Sequence, residues 1–284
     1  MNTTIIEYYT NGKIKSEEYY VDGKLHREDD KPAIIYYSEN GDIKSEYYFI
    51  NNKYHREDEK PANIHYYENG NIKIESYYIN NELHRENDKC AIIGYYENRN
   101  IKSEEYRINN KLYRAAESGG TDNDKPVVIH YYENGNIQCE WYFDLYREND
   151  LPSRIEYYKN GNIKNESYYV NHILHRKNDK PAKIFYHENG NIQTEYYYIN
   201  DKLHRAAESG GIENDKPTCI EYYENGDIKS EEYHIDNYFQ RLNSNYPTII
   251  EYKYGGNDIV NIFTDRYGYE LKREKIFGVW NKWF

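Results

Sequence analysis

The chain has little with which to build a thick hydrophobic core. Its 284 residues include one Met and seven Phe, mean hydropathy is −1.15, and 30% of the residues are charged. A globular interior of ordinary depth is therefore excluded. No run approaches the roughly 18 apolar residues of a membrane-spanning helix. The start, "MNTTIIEYYTNG", has no basic segment followed by an apolar one, so no signal peptide is expected. Only three cysteines occur, Cys90, Cys139 and Cys219, far apart in the chain. They offer neither a disulfide framework nor a metal knuckle, and they suit a reducing, cytoplasmic compartment. Basic residues are outnumbered, 37 against 49 acidic ones, for a net charge of −12. That balance argues against non-specific binding to nucleic acid or anionic lipid.

What the chain does have is tyrosine, 38 copies of it, and a repeat. Asn-Gly pairs stand at 11–12, 40–41, 69–70, 134–135, 160–161, 189–190 and 225–226. Asn98-Arg99 keeps the phase in a degenerate copy, and Gly255-Gly256 opens a decayed ninth one. The basic period is 29 residues. Two steps of 36 residues share an enlargement, "RAAESGGTDND" and "RAAESGGIEND", with the added residues at 115–121 and 206–212. A step of 26 residues loses its second turn in "WYFDLYREND". Length changes confined to loops mark a repeat array.

Each unit reads as strands. Ile stands six residues before the turn Gly and Tyr two residues later, as in Ile35 and Tyr37, so both face one side of a strand. Asn-Gly between such runs signals a hairpin. After the turn come Ile, Glu and Tyr at +2, +5 and +7, then a second turn such as "INNK", a short third strand such as "LHR", and a Pro that closes the unit. Ile at +2 and Tyr at +7 have opposite parity, which requires either a bulge after the turn or Tyr on both faces. The expected fold class is all-β: an elongated, twisted array of antiparallel β-hairpins, about eight or nine units, as a single-sheet ribbon or β-solenoid-like form. The array is expected over 1–256 and an aromatic C-terminal cap, with Trp280 and Trp283, over 257–284.

Units of the type "YYENGNIKSEEYYINNKLH" resemble the variant MORN repeats of bacterial antitoxin-like proteins. The fuller unit with "LHRE..KPA" resembles tandem arrays of phages and giant DNA viruses of amoebae. The resemblance covers roughly residues 5–256. It implies a β-hairpin array used for binding, without shared catalytic residues, placed in a host cytoplasm or a virion.

Three constellations invite chemistry. "YHREDEKPANI" (54–64) looks like a kinase catalytic loop, but it has one residue too many before Lys-Pro, lacks a Gly-rich loop and a DFG, and recurs along the chain. It reads as a joint. His26, His55, His84, His175 and His204 share one register. Equivalent residues two to three strands apart lie ~10–14 Å from one another, too far to share a metal whose ligands sit at about 2.0–2.1 Å. No metal and no cofactor are expected.

The third is a ladder. Glu17, Glu46, Glu75, Glu104, Glu140, Glu166, Glu195 and Glu231 match Arg27, Arg56, Arg85, Arg114, Arg147, Arg176, Arg205 and Arg241 one for one. They suit an ion pair or an Arg–Tyr stack that ties the short strand to its hairpin, or else a row of guanidinium groups reading an acidic partner. Candidate partner contacts are Ser118, Gly119 and Gly120 in one enlarged loop, Ser209, Gly210 and Gly211 in the other, and the Trp-bearing end. Together these point to a non-enzymatic scaffold that binds another macromolecule, a protein before RNA. Self-assembly, with self-association through the C-terminal end, is the alternative class.

Overall fold

The computed structural model describes residues 1–114, 125–142, 150–205, 216–241, 245–255 and 258–276. Two compact units divide the chain, Met1–Phe143 and Asp144–Phe284. The described residues form an all-β hairpin array in each.

In the first unit the strands Asn2–Tyr8, Ile14–Val21, Ile34–Tyr37, Ile43–Tyr47, Asn63–Tyr66, Ile72–Ser76, Ile92–Tyr95, Ile101–Glu105, Pro126–Tyr131 and Ile137–Tyr142 pair antiparallel, each with the next. In the second unit Arg154–Tyr157, Ile163–Ser167, Lys183–Tyr186, Ile192–Tyr196, Cys219–Tyr222, Ile228–Glu232, Ile249–Tyr252, Ile259–Thr264 and Glu270–Ile276 do the same. The last two strands lie beyond residue 256 and extend that unit's sheet.

The parity puzzle resolves into a bulge. Tyr37 pairs with Ile43 but Tyr36 with Ser45, so Lys44 is the extra residue. The same shift occurs at Tyr8, Tyr66, Tyr95, Tyr131, Tyr157, Tyr186 and Tyr222. The bulge turns Glu46 and Tyr48 onto the face of Ile35. Before it lies the tight turn. Gly12 N–H donates to the Tyr9 carbonyl at 3.0 Å and Gly12 sits at φ 82°, while Asn11 is not left-handed; its Oδ1 accepts from Lys13 N at 3.0 Å. Gly supplies the left-handed residue and Asn the side-chain acceptor. Arg99 must take the same left-handed conformation, at φ 72°.

Ile14–Val21 runs unbroken and its end pairs with Lys24–Leu25 in the main sheet, but in most later repeats the second strand breaks at the repeated Tyr and its end leaves that sheet. Phe49–Ile50 pairs with Lys53–Tyr54 across a turn whose residues, Asn51 and Asn52, both have positive φ. That is the two-residue turn whose twist matches a hairpin. The expected third strand is thus half of a second small hairpin. The same element recurs at Tyr78–Ile79 with Glu82–Leu83, Arg107–Ile108 with Lys111–Leu112, Tyr169–Val170 with Ile173–Leu174, Tyr198–Ile199 with Lys202–Leu203, and His234–Ile235 with Tyr238–Phe239. Breaking the strand frees the N–H of Tyr48, which donates to the Ala62 carbonyl of the next repeat at 2.8 Å.

The core is thin and repeats. It holds the residue after each Pro-position residue, with Ala33, Ala62, Ala91 and Ala182 at 0% exposure, together with Ile35, Ile64, Tyr48 and Tyr77. The position is enclosed because the guanidinium-capped Tyr of the preceding repeat packs there, and Val127, Ser153, Thr218 and Thr248 fill it in other repeats.

Arg99 generates a test. Arg99→Gly removes the left-handed strain of a non-Gly residue and should raise the unfolding free energy by about 1 kcal/mol in urea denaturation.

Candidate functional site

The repeated polar residues assemble into one joint per repeat. Arg56 lies over the Tyr48 ring at 3.6 Å, and its Nη1 donates to the Pro61 carbonyl at 3.1 Å. The stack recurs for Arg27 on Tyr19, Arg85 on Tyr77, Arg114 on Tyr106, Arg176 on Tyr168, Arg205 on Tyr197 and Arg241 on Tyr233, all within 3.5–3.9 Å. The carboxylate that Arg56 binds is Asp30 of the preceding repeat, at 2.6 Å through Nε and 3.2 Å through Nη2. Lys60 joins the same carboxylate at 2.7 Å. Asp88 serves Arg114 and Lys125, Asp150 serves Arg176 and Lys180, and Asp179 serves Arg205 and Lys216. Two cations hold the Asp30 carboxyl down to about 2, with the hydrogen bond from Arg56 the largest cause.

The ladder carboxylates take phenol protons instead. Glu166 accepts from Tyr168 at 3.2 Å and from Tyr186 of the next repeat at 2.8 Å. Glu75, Glu104, Glu195 and Glu231 likewise each accept from a Tyr two residues on and a Tyr of the next repeat. Glu17 accepts from Tyr19, Glu46 from Tyr66 and Glu140 from Tyr142. Burial, reinforced by these carboxylates, pushes the Tyr77, Tyr168 and Tyr197 phenols up to about 12, so they stay neutral donors. Tyr therefore bridges an acceptor and a cation, and no ladder Glu is in direct ion-pair contact with its Arg among the described residues.

Two further lines of bonds link repeats. Asn52 N–H donates to the Leu25 carbonyl at 2.9 Å while its Oδ1 accepts from Leu25 N at 2.6 Å, so one side chain completes a strand-like pair. Asn81, Asn110, Asp201 and Asn237 repeat this on Tyr54, Leu83, Leu174 and Leu203. On the turn side, Tyr9 donates to the Tyr37 carbonyl at 2.7 Å, and Tyr67, Tyr96, Tyr158 and Tyr223 do the same one repeat on. The His register belongs to the first of these lines: His26 and His55 Nδ1 accept from Asn51 and Asn80 N–H at 3.3 Å. Among the described residues no group of three or more His, Cys, Asp or Glu is placed to hold a metal ion.

These roles explain several residues that sequence reasoning passed over. Asp30, Asn52 and Ala33 all recur in fixed phase, which was the available signal. Their partners lie one repeat away, and pattern alone does not say which repeat a side chain serves. Arg147, Ser118, Gly119, Gly120, Ser209, Gly210, Gly211, Trp280 and Trp283 lie outside the described residues.

The opposite face of the sheet repeats only in part: Ser16, Ser45, Ser103 and Ser230 recur at one position, while the larger side chains around them differ from repeat to repeat. It carries Tyr36, Tyr47 and His65, with ring centroids 5.9 Å and 5.6 Å apart across Tyr47. The first unit also carries His130 with Trp141 at 6.2 Å, and the equivalent positions of the second unit's sheet hold Asn165 bound to Glu156 at 2.8 Å and Phe185 with Tyr196 at 6.0 Å. Cys90 and Cys219, on different faces, are both buried, and burial raises their thiols to about 11 and about 12, which leaves neither a reactive thiolate near neutral pH.

Six segments match the MORN repeat variant. They are residues 2–22, 63–80, 127–144, 153–171, 183–200 and 218–236, and they fall on the long hairpins of the repeats. In these MORN-variant segments the match takes in the Ile–Tyr strand, the turn and the Glu–Tyr strand, but it stops before the Arg of the joint. No curated protein matches the chain. Solved chains similar to it come from crystal structures of TcdB2-TccC3, TcdB2-TccC3-TEV and TcdB2-TccC3-Cdc42, each at 10% identity, with TM-scores of 0.20, 0.15 and 0.15. They cover 98%, 99% and 96% of this chain, which spans 15%, 13% and 14% of theirs. Likeness at those scores carries no argument about function. Among the described residues no helix is long and apolar enough to cross a membrane.

Arg85 departs from the joint pattern. Glu59 stands where other repeats have Asp, and its carboxylate pairs with Lys89, leaving the buried Arg85 Nε without a partner. Glu59→Asp should therefore raise the melting temperature. Arg56→Ala removes the stack, the carbonyl bond and the Asp30 pair together, and should cost about 2–3 kcal/mol in denaturant unfolding. Burial lowers the His234 imidazole to about 4, with Thr218 Oγ1 at 2.8 Å from its Nδ1. The unfolded chain then binds the extra proton between about pH 6.5 and 4. Stability from this group is complete above that window and falls by roughly 3 kcal/mol as pH drops through it. His234→Phe should flatten the wild-type loss between pH 6.5 and 4.5, and NMR titration should place the His234 midpoint near the lower end.

Proposed function

We propose that the chain is a non-catalytic repeat scaffold that binds another protein through the variable face of its sheet. One observation carries this reading: the recurring Tyr, Arg, Asp and Asn side chains are spent on bonds between repeats, whereas the large side chains that differ lie on the other face. Tyr36 and Trp141 belong to that face and are 37% and 38% exposed. Exposed aromatic residues of this kind make good interface anchors at low entropic cost. Arg ladders are poor candidates for recognition, because each described guanidinium group already lies on a Tyr ring.

A second reading is self-assembly. It is favoured by Asn2–Tyr8, whose seven residues are all exposed and which pairs, among the described strands, only with Ile14–Val21. Such an edge can accept another strand.

The experiment compares the parent with Tyr36→Ser plus Trp141→Ser. Affinity capture from native cells followed by mass spectrometry should yield a partner that the double variant loses at unchanged melting temperature. A partner retained by the variant at parental yield would contradict the reading. Light scattering that grows with protein concentration, in place of such a partner, would favour self-assembly.

A further inference from the structure

The line of tyrosines that donate to the next repeat's carbonyl is interrupted once in the first unit. Tyr9, Tyr67 and Tyr96 reach the carbonyls of Tyr37, Tyr95 and Tyr131 at 2.7 Å. The equivalent residue of the second repeat is Ser38, whose short side chain stays at home and accepts from Asp42 N at 3.2 Å. Among the described residues no phenol therefore reaches the Tyr66 carbonyl. A cavity of about 500 Å³ opens at this position, with Tyr9, Tyr36, Tyr47, His65, Lys44 and the Tyr66 position on its walls.

Charge at the cavity is the reverse of the charge on the chain. Lys15, Lys44 and Lys73 line it with His65, and no Asp or Glu does, in a chain of net charge −12. Lys15 is bound to Glu7 at 3.1 Å. Lys73 and Lys102 lie over the rings of Tyr67 and Tyr96, at 5.5 and 5.7 Å, with no carboxylate within ion-pair distance. Lys44 would have such a ring if residue 38 were Tyr. These lysines are bulge residues of successive repeats, hence two strands or ~9.6 Å apart. A peptide in the extended polyproline II conformation advances ~9.3 Å in three residues, which is one full turn, so every third side chain faces the same way and meets one lysine.

We propose that this cavity binds an acidic, extended segment of a partner protein that bears a tyrosine. The partner's ring lies beneath Lys44, its hydroxyl donates to the Tyr66 carbonyl, and carboxylates three and six residues away meet Lys73 and Lys102. The segment thus completes, from outside, the one rung the chain leaves out. The inference rests on the scaffold reading above and specifies its partner. A polyphosphate chain fits less well: it brings no hydroxyl-bearing ring to the Tyr66 carbonyl, and the chain's overall charge opposes it.

The test is fluorescence anisotropy with the labelled peptide Gly-Tyr-Gly-Gly-Glu-Gly-Gly-Glu at low ionic strength. Saturable binding is expected. Lys73→Glu plus Lys102→Glu should weaken it at least tenfold at unchanged melting temperature. Ser38→Tyr should abolish it while holding or raising the melting temperature, since the variant supplies the rung internally. Absent saturable binding, or equal affinity for Ser38→Tyr, would overturn the proposal. So would a response to phosphatidylserine vesicles or poly(U) that exceeds the peptide's and vanishes in Ser38→Tyr, which would assign the cavity to lipid or RNA. If the peptide fails while Tyr36→Ser plus Trp141→Ser still loses its captured partner, the cavity assignment falls and the scaffold reading stands.

Discussion

Everything in the repeat depends on a Tyr ring held between a carboxylate and a guanidinium group. Tyr168 shows the arrangement in full: its hydroxyl donates to Glu166, its face carries Arg176 at 3.5 Å, and its N–H reaches the Ala182 carbonyl. A single sheet has no second sheet to pack on, so each hairpin must be covered by its own trailing segment. Arg provides that cover. Its guanidinium plane is flat, weakly hydrated and always charged, so it can lie on an aromatic face and still donate at its edges. Lys could not make the same contact. The edge donors then set where the next chain segment goes: one to the carbonyl at the Pro position, the others to the Asp of the repeat before.

The acidic turn is the other half of the device. Asp29 and Asp30 both have positive φ, an arrangement that costs energy for non-Gly residues but is most tolerable for Asn and Asp. The strain is repaid by the pair with Arg56 and Lys60, which needs the carboxylate aimed at the following repeat. With one extra methylene, Glu59 keeps the pair with Lys89 but loses the one with Arg85 Nε. A joint of this kind takes His or Tyr beside it, since that ring makes none of the Arg–Asp and Arg–carbonyl contacts, but it does not tolerate loss of the Arg.

Much of this was legible in the sequence. The period, the Gly-centred turns, the inward Ile–Tyr pairs and the short third strand all follow from spacing, because their determinants lie within a few residues of one another. Parity left a choice between a bulge and Tyr on both faces, and the strand register supplies the bulge, with Lys44 as the extra residue. What could not be read were partnerships 20 to 37 residues apart. Asp30 and Glu46 are both acidic and both in phase with Arg, and the choice between them is made by which face the bulge turns Glu onto. The Asn of the second small turn looked like ordinary turn chemistry, yet its side chain also serves as a strand for its neighbour. The variable face was hidden for a simpler reason: residues that do not repeat draw no notice in a search for repeats.

The reciprocal pair between Asn52 and Leu25 has a consequence for how such a chain can change over time. It joins a repeat to its immediate neighbour and to nothing else, as do the Asp–Arg pair and the Tyr–carbonyl rung. Each seam therefore has the same two halves, and a whole 29-residue period could be copied or dropped without leaving a mismatched seam. Length in such a chain is an inherited variable that moves in integers. Divergence of one copy, such as Ser38 or Glu59, is confined to the seams it touches, so single repeats are free to acquire an individual surface while the rest keep the chain folded.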